Sequence, residues 1–482
     1  MNISARRSRS KLVVAVAAAA LVGGSLPVFL ISSLSPRISA DLGLGEAALG
    51  TVVAAFFLAG AASSVPGGRT ADRLGAAASL RIGLTISAVA GLGVVLLAAG
   101  PWSLAACLFL AGTSLGFIDT GGARAIAATI PLTRQGLAFG GKEASIPAAS
   151  LLAGIAVPLL GAAAGWRAAF VAAIGYAVLL AIAVPRDLDA LPTARQLLGA
   201  GGAVTPGTAP GSPGSTSPDR VTAGAQPDLD AMPDGASDVA GSLPAPGHDA
   251  APDALPANKP DAPPDTTSAS EPDTTSSAGS RAAGQSPAPA ARRWPLVALA
   301  VSAALGGGAA ASAATFLVPS AVAGGLSADA AGMLLAGASV AGILSRLSVG
   351  AVADRRIGGE LRIVAVLLGL GAIGVLGLAS GLGAVIVPGA ALAIGGGWGW
   401  TGLVFLAAVR LDPARPAKAA GTVLAGLGVG GASGPAVFGW LAGGPGFELA
   451  WVVAAGAFLL ALGFTSLADV LRRRPAVRAT AH

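Results

Sequence analysis

Apolar residues in this chain come in unbroken runs, not in the alternating or one-sided patterns of a water-soluble fold. A helix needs about 20 apolar residues to cross the hydrocarbon of a bilayer. Runs of that order recur near 12–34, 47–67, 79–100, 102–123, 140–163 and 166–184. Six more fall near 295–320, 328–349, 361–380, 383–409, 417–441 and 447–470. The pattern predicts twelve membrane-spanning helices in two sets of six. Between the sets the character changes: segments such as Pro260-Asp261-Ala262-Pro263-Pro264-Asp265-Thr266-Thr267 hold almost no large apolar groups. Such chain cannot bury enough surface to offset its conformational entropy, so a disordered linker is expected. The predicted organisation is a tail over 1–11, a first bundle over 12–185, the linker over 186–293, a second bundle over 294–470 and a basic tail over 471–482.

Composition supports a membrane protein. The chain is 54% apolar and only 11% charged, against roughly 25% charged in a water-soluble domain. Its 71 glycines suit helices that meet through small side chains. The start needs separate treatment, because Arg6, Arg7, Arg9 and Lys11 before Leu12–Leu21 imitate a signal peptide. The apolar stretch runs on to Leu34 without a clear cleavage site, so a retained first helix is expected. Cys107 is the single cysteine, which leaves no intrachain disulfide. Basic residues are scattered over short loops and form no stripe, which argues against nucleic acid as a partner.

Charge also orients the chain. With the N-terminus inside, only Arg37 and Arg167 fall on outer loops, and the tail carries Arg472, Arg473, Arg474 and Arg478. The positive-inside rule then puts both termini in the cytoplasm, in a multi-pass protein of the cytoplasmic membrane.

Ionisable groups inside the spans are costly and need partners, so each marks a candidate site. Asp119 and Arg124 lie toward the end of the fourth span, and Lys142 and Glu143 open the fifth on the same side. Neighbouring positions on a helix point about 100° apart, so Lys142 and Glu143 are not expected to face one spot. The expected pairs are Asp119 with Lys142 and Arg124 with Glu143. Two interpretations stand side by side. The four charges form structural pairs near the interface, or Lys142 or Arg124 holds an anionic substrate while Asp119 or Glu143 takes up a proton. Trp398 and Trp400, among glycines of the tenth span, line a cavity or fill a packing gap. Trp102, Trp166, Trp294 and Trp451 lie near span ends and are expected as interfacial anchors. Arg346 and Arg410 are expected at inner helix ends, as gate pairs or as positive-inside anchors. The only histidines, His248 and His482, lie outside the spans, which excludes a histidine proton relay within them.

Two charged hairpins organise the halves. Gly68-Arg69-Thr70-Ala71-Asp72-Arg73-Leu74-Gly75 lies between the second and third spans. A near-copy, Gly350-Ala351-Val352-Ala353-Asp354-Arg355-Arg356-Ile357-Gly358, lies between the eighth and ninth. Small Gly68 is expected to admit a neighbouring helix, and Gly75 to allow the reversal. In the eleventh span, Gly426, Gly430, Gly434 and Gly439 recur around Pro435. Glycines at this spacing give a smooth face for another helix, and the proline can bend the axis.

The 6+6 layout, the long central loop and the repeated G-x-x-x-D-R-x-G hairpin resemble the major facilitator superfamily of secondary transporters. The resemblance covers both membrane halves and not the linker. It implies two pseudo-symmetric six-helix bundles that carry a small solute by alternating access, with no cofactor, as a monomer, and with proton coupling. It gives the cytoplasmic gate to Gly68, Asp72, Arg73 and Gly75, and in the second half to Gly350, Asp354 and Arg355. The basic residues that usually follow the motif are replaced by Ala76, Ala77 and Ala78. Proton-coupled exporters of the family carry an arginine in the fourth span, where this chain has Thr113-Ser114-Leu115-Gly116, and a Gly-Pro pair in the fifth, where it has Ile146-Pro147 and Val157-Pro158. Both departures argue against a drug/proton antiporter. A lysine ahead of an Ile-Pro stretch in the fifth span resembles bacterial members and points to uptake of a small anion. The alternatives are that antiporter and a transporter-like sensor or scaffold with the linker as its working part. An intramembrane enzyme would need a histidine or carboxylate cluster or a based serine, and an ATP-driven pump a G-x-x-x-x-G-K-[ST] loop; the spans offer none of these.

Overall fold

Each apolar run forms one helix in the structure, a computed structural model that describes residues 3–131, 134–189, 293–355, 359–412 and 416–473. The expectations for the central linker and for the end of the basic tail fall outside the described residues. Among the described residues, twelve helices are long and apolar enough to cross a membrane. The first six are α1 (Arg9–Ser33), α2 (Glu46–Leu74), α3 (Ala76–Leu97), α4 (Pro101–Thr129), α5 (Gln135–Ala164) and α6 (Trp166–Ala183). The second six are α7 (Arg293–Ala323), α8 (Ala328–Val352), α9 (Glu360–Ala379), α10 (Gly383–Leu411), α11 (Ala419–Gly443) and α12 (Phe447–Arg473). An even number of described spans brings the start of α1 and the end of α12 to one side, the termini face.

Several helices outrun the apolar stretch that predicts them. The hairpin from Gly68 is not a loop: residues 68–74 form the last turns of α2, and the reversal is made at Gly75 alone. Gly75 adopts φ 91°, open to glycine and strained for other residues, and its N–H closes the helix on the Ala71 carbonyl. Asp72 and Arg73 are helical because polar groups beyond the hydrocarbon cost nothing, and Arg73 in the last turn favours the negative end of the helix dipole. The second motif behaves likewise, since the helix containing α8 continues to Arg355. The side chains of Asp354 and Arg355 lie outside the described residues, as do Arg356, Ile357 and Gly358.

Two seams join the halves. In the first, α11 packs on α7 of its own half and on α2 of the other. A Cβ on Gly426, Gly430 or Gly434 would stand 2.2, 1.9 or 2.3 Å from the carbonyl oxygens of Ala300, Ala304 and Gly308 on α7. On the same helix, a Cβ on Gly439 would stand 2.3 Å from the Glu46 carbonyl of α2, and one on Gly50 of α2 would stand 2.2 Å from that of Pro435. The glycines are backbone-to-backbone contacts, so replacement must move a helix. Gly430→Ala is expected to cost about 1–3 kcal/mol by overpacking, read as a lower thermal unfolding temperature; an unchanged one would contradict the packing.

The second seam is α5 against α8. Gly140 lies on Arg346 and Gly350 near the termini face, and Gly154 on Gly332 and Ala336 toward the opposite face. Between them Pro147 packs on Gly342.

Tryptophans divide in an unforeseen way. Trp102 and Trp294 are exposed at helix ends, as interfacial anchors are. Trp166 and Trp451 are buried instead. Trp451 meets Phe438 edge-on with ring centres 4.6 Å apart, and Trp166 donates its Nε1–H to Asp41 at 3.0 Å. Proximity to a span end does not fix which way a helix turns its ring.

Candidate functional site

Asp119, Lys142, Glu143 and Arg346 converge where α4 and α5 of the first half meet α8 of the second. Lys142 is 2% exposed. Its stem passes Gly122 of α4, where a Cβ would lie 3.5 Å from Lys142 Cε. Its ammonium donates to Asp119 Oδ1 at 2.5 Å and to Glu143 Oε1 at 2.9 Å. The expected Asp119–Lys142 pair is therefore present, but Lys142 and Glu143 do reach one spot. The long lysine stem bends back across the 100° between their Cβ directions, and α5 is broken at Ala144, between segments Gln135–Glu143 and Ser145–Ala156.

Pro147 gives that break a chemical use. A proline has no N–H to offer the carbonyl four residues earlier, which here is Glu143. The freed Glu143 carbonyl accepts from Arg346 Nη1, and the same nitrogen lies 3.4 Å from Glu143 Oε2. Glu143 is thus shared by Lys142 of its own half and Arg346 of the other. Arg346 is 3% exposed, not at a helix end as expected, because its helix continues to Arg355. Its guanidinium carbon sits 5.7 Å from the ring centre of Trp398, whose Nε1–H donates to the Ala310 carbonyl at 2.9 Å. Asp119, Lys142, Glu143 and Arg346 sum to no net charge.

Arg124 does not pair with Glu143. It donates to Asp72 Oδ1 at 2.5 Å, because α4 runs to Thr129 and carries Arg124 beside the end of α2. Asp72 is 76% exposed; such a pair contributes little. Arg124→Ala is expected to change stability by less than about 1 kcal/mol, with thermal unfolding as the check. Gly68 faces only the Thr120 methyl at 4.0 Å, whereas a Cβ on its neighbour Gly67 would lie 2.5 Å from the Gly116 carbonyl, so Gly67 admits the helix. Gly350 serves the second seam, where a Cβ would lie 3.0 Å from the Gly136 carbonyl. Trp400 is fully buried against Gly306 and donates to the Gly397 carbonyl at 2.6 Å, a packing role. Arg410 pairs with buried Glu360 of α9.

Sequence reasoning missed a second charged bridge, on the opposite face. Arg37, in the short helix Ser35–Leu42, donates to Asp329 Oδ1 at 2.9 Å at the start of α8. Its Nη1 donates to the Val157 carbonyl of α5 at 3.0 Å. Val157–Gly161 is a π-helical turn beginning next to Pro158, a widening that commonly marks functional positions. Nearby, hydrogen bonds from Trp166 and Arg167 hold the Asp41 carboxyl below its usual range.

Solved structures share this architecture. At 15% identity each, the chain matches the human organic anion transporter MFSD10 (TETRAN) with TM-score 0.55, covering 95% of this chain and 99% of that one. It matches a D-xylose–proton symporter with TM-score 0.62, covering 94% and 96%. It also matches the proton:xylose symporter XylE bound to 6-bromo-6-deoxy-D-glucose with TM-score 0.60, covering 96% of both chains. Comparison with curated protein sequences found no match. The family model of the Major Facilitator Superfamily matches residues 12–321. With that match over more than half its length, and with twelve membrane-length helices in the same architecture, the chain belongs to the Major Facilitator Superfamily of transporters.

Proposed function

We propose that the protein is a proton-coupled secondary transporter that takes up a small anion by alternating access in the cytoplasmic membrane. The observation that carries this is Glu143, a carboxylate held across the α5–α8 seam by Lys142 and Arg346. A proton on Glu143 would leave the four-charge cluster with one excess positive charge and weaken the grip on Arg346. An anion entering with the proton restores neutrality, so proton and monoanion travel together without net charge. Uncompensated charge at membrane depth is costly, which makes either event alone unfavourable and links the two. Of the fold neighbours, one is an organic anion transporter and another a proton symporter, in keeping with this chemistry.

Orientation rests on charge. Among the described residues, Arg37 and Arg167 are the basic residues of the face opposite the termini, whereas Arg69, Arg73, Arg134, Arg186, Arg362, Arg472 and Arg473 lie toward the termini face. The positive-inside rule then makes the termini face cytoplasmic.

The test is accumulation in proteoliposomes with acid outside. Wild type is expected to concentrate a small carboxylate toward the limit set by the pH gradient, and Glu143→Gln to lose that accumulation while still exchanging labelled for unlabelled solute. Undiminished accumulation by Glu143→Gln, or movement of lipophilic cations instead, would overturn the proposal.

A further inference from the structure

The two buried cations of the cluster differ in how far their donors are satisfied. Lys142 is occupied by Asp119 and Glu143. Arg346 gives only Nη1 to Glu143, while Nε and Nη2 are buried and have no hydrogen-bond partner among the described residues. These two nitrogens form one edge of the guanidinium, with nearly parallel N–H bonds spaced to meet both oxygens of a carboxylate. Buried donors are almost always satisfied. Two orphans on one edge of one cation, at the seam between the halves, therefore mark a place where an acceptor is missing.

We propose that the Nε–Nη2 edge of Arg346 is the docking point for the carboxylate of a small monocarboxylate substrate, with Trp398 beside the guanidinium. The assignment rests on the anion-transport reading of the same cluster and narrows it. It also moves the anion site from the residues expected in the sequence: Lys142 is already engaged by two carboxylates, and Arg124 is in an exposed pair near the end of α2. Above Arg346 the seam is apolar, built from Pro147 on α5, Gly342 on α8 and Ile394 on α10. That lining suits an apolar body and offers no partner to a second negative charge. The edge is closed off while α5 and α8 are in contact, and separation of the halves along this seam opens it.

The experiment measures uptake of labelled acetate, pyruvate and benzoate by proteoliposomes under an inward proton gradient, with succinate as a dicarboxylate control. Arg346→Lys keeps the charge and loses the fork. It is expected to raise KM for the monocarboxylates by at least about 10-fold, since a charged hydrogen bond contributes roughly 1.5–3 kcal/mol. Wild type should favour all three over succinate. Should the variant fold poorly, modification of wild-type Arg346 by phenylglyoxal, followed by peptide mass spectrometry, gives a second readout, and benzoate is expected to protect that residue. Monocarboxylate uptake with an unchanged KM in Arg346→Lys, or modification of Arg346 that benzoate does not slow, would overturn the docking site and leave the transport function standing. No proton-driven uptake of any carboxylate by wild type would overturn the function itself, and the docking site with it.

Discussion

Lys142→Met is expected to destabilise the folded protein by about 3–5 kcal/mol, the range for removing one partner of a buried ion pair. The substitution keeps an unbranched chain of similar length, so the loss is of charge and not of packing. Among the described residues, it leaves Asp119 without the cation it pairs with and Glu143 with Arg346 alone. Asp119 is partly open to solvent, which eases its share of the penalty, whereas Glu143 is more enclosed. The double variant Lys142→Met with Asp119→Asn is expected to recover part of the stability, because it removes one of the stranded charges. Thermal unfolding of the purified protein reads both. A loss no larger than that from Arg124→Ala would mean that Lys142 is solvated and that the cluster is not a buried site.

The second large effect concerns the opposite face. Arg37→Asp sets two carboxylates against each other where Arg37 now meets Asp329, and it removes the donor to the Val157 carbonyl. Charged hydrogen bonds contribute roughly 1.5–3 kcal/mol, and tenfold in population corresponds to about 1.4 kcal/mol. Cysteines placed along the upper α5–α8 seam are therefore expected to react with an impermeant maleimide about 10- to 100-fold faster in Arg37→Asp. Adding Asp329→Arg restores an opposite pair and is expected to bring the rate back toward wild type. If the single substitution leaves labelling unchanged, the bridge is a surface contact without a gating role.

The sequence carried the spans well because length and apolarity are read one residue at a time. It also carried the Asp119–Lys142 pair, since α4 ends and α5 begins on one face. What it did not carry depends on helix rotation and on where helices stop. A fourth span ending near 123 sets Arg124 beside Glu143 at the start of the fifth; α4 runs on to Thr129 and turns Arg124 to Asp72 instead. A span ending near 349 likewise puts Arg346 at a helix end, whereas its helix continues to Arg355. Gly67 and Gly68 are equivalent in sequence, and only the rotation of α2 against α4 distinguishes them. A proline four residues after an intramembrane glutamate, as Pro147 follows Glu143, frees a carbonyl at membrane depth, and a freed carbonyl there needs a donor.

In the proposed transport cycle the halves swing about the α5–α8 seam, with the Glu143–Arg346 bridge near the termini face and the Arg37–Asp329 bridge at the other. The direct measurement is the distance between spin-label pairs on the two faces, in nanodiscs, at neutral and acid pH. Arg73 with Arg362 serves the termini face and Leu97 with Leu382 the opposite face, all exposed positions. The account predicts that acid changes the two distances in opposite senses, and that Glu143→Gln at neutral pH reproduces the acid distribution. Distances that stay fixed, or that shift with pH equally in the Glu143→Gln protein, would contradict it.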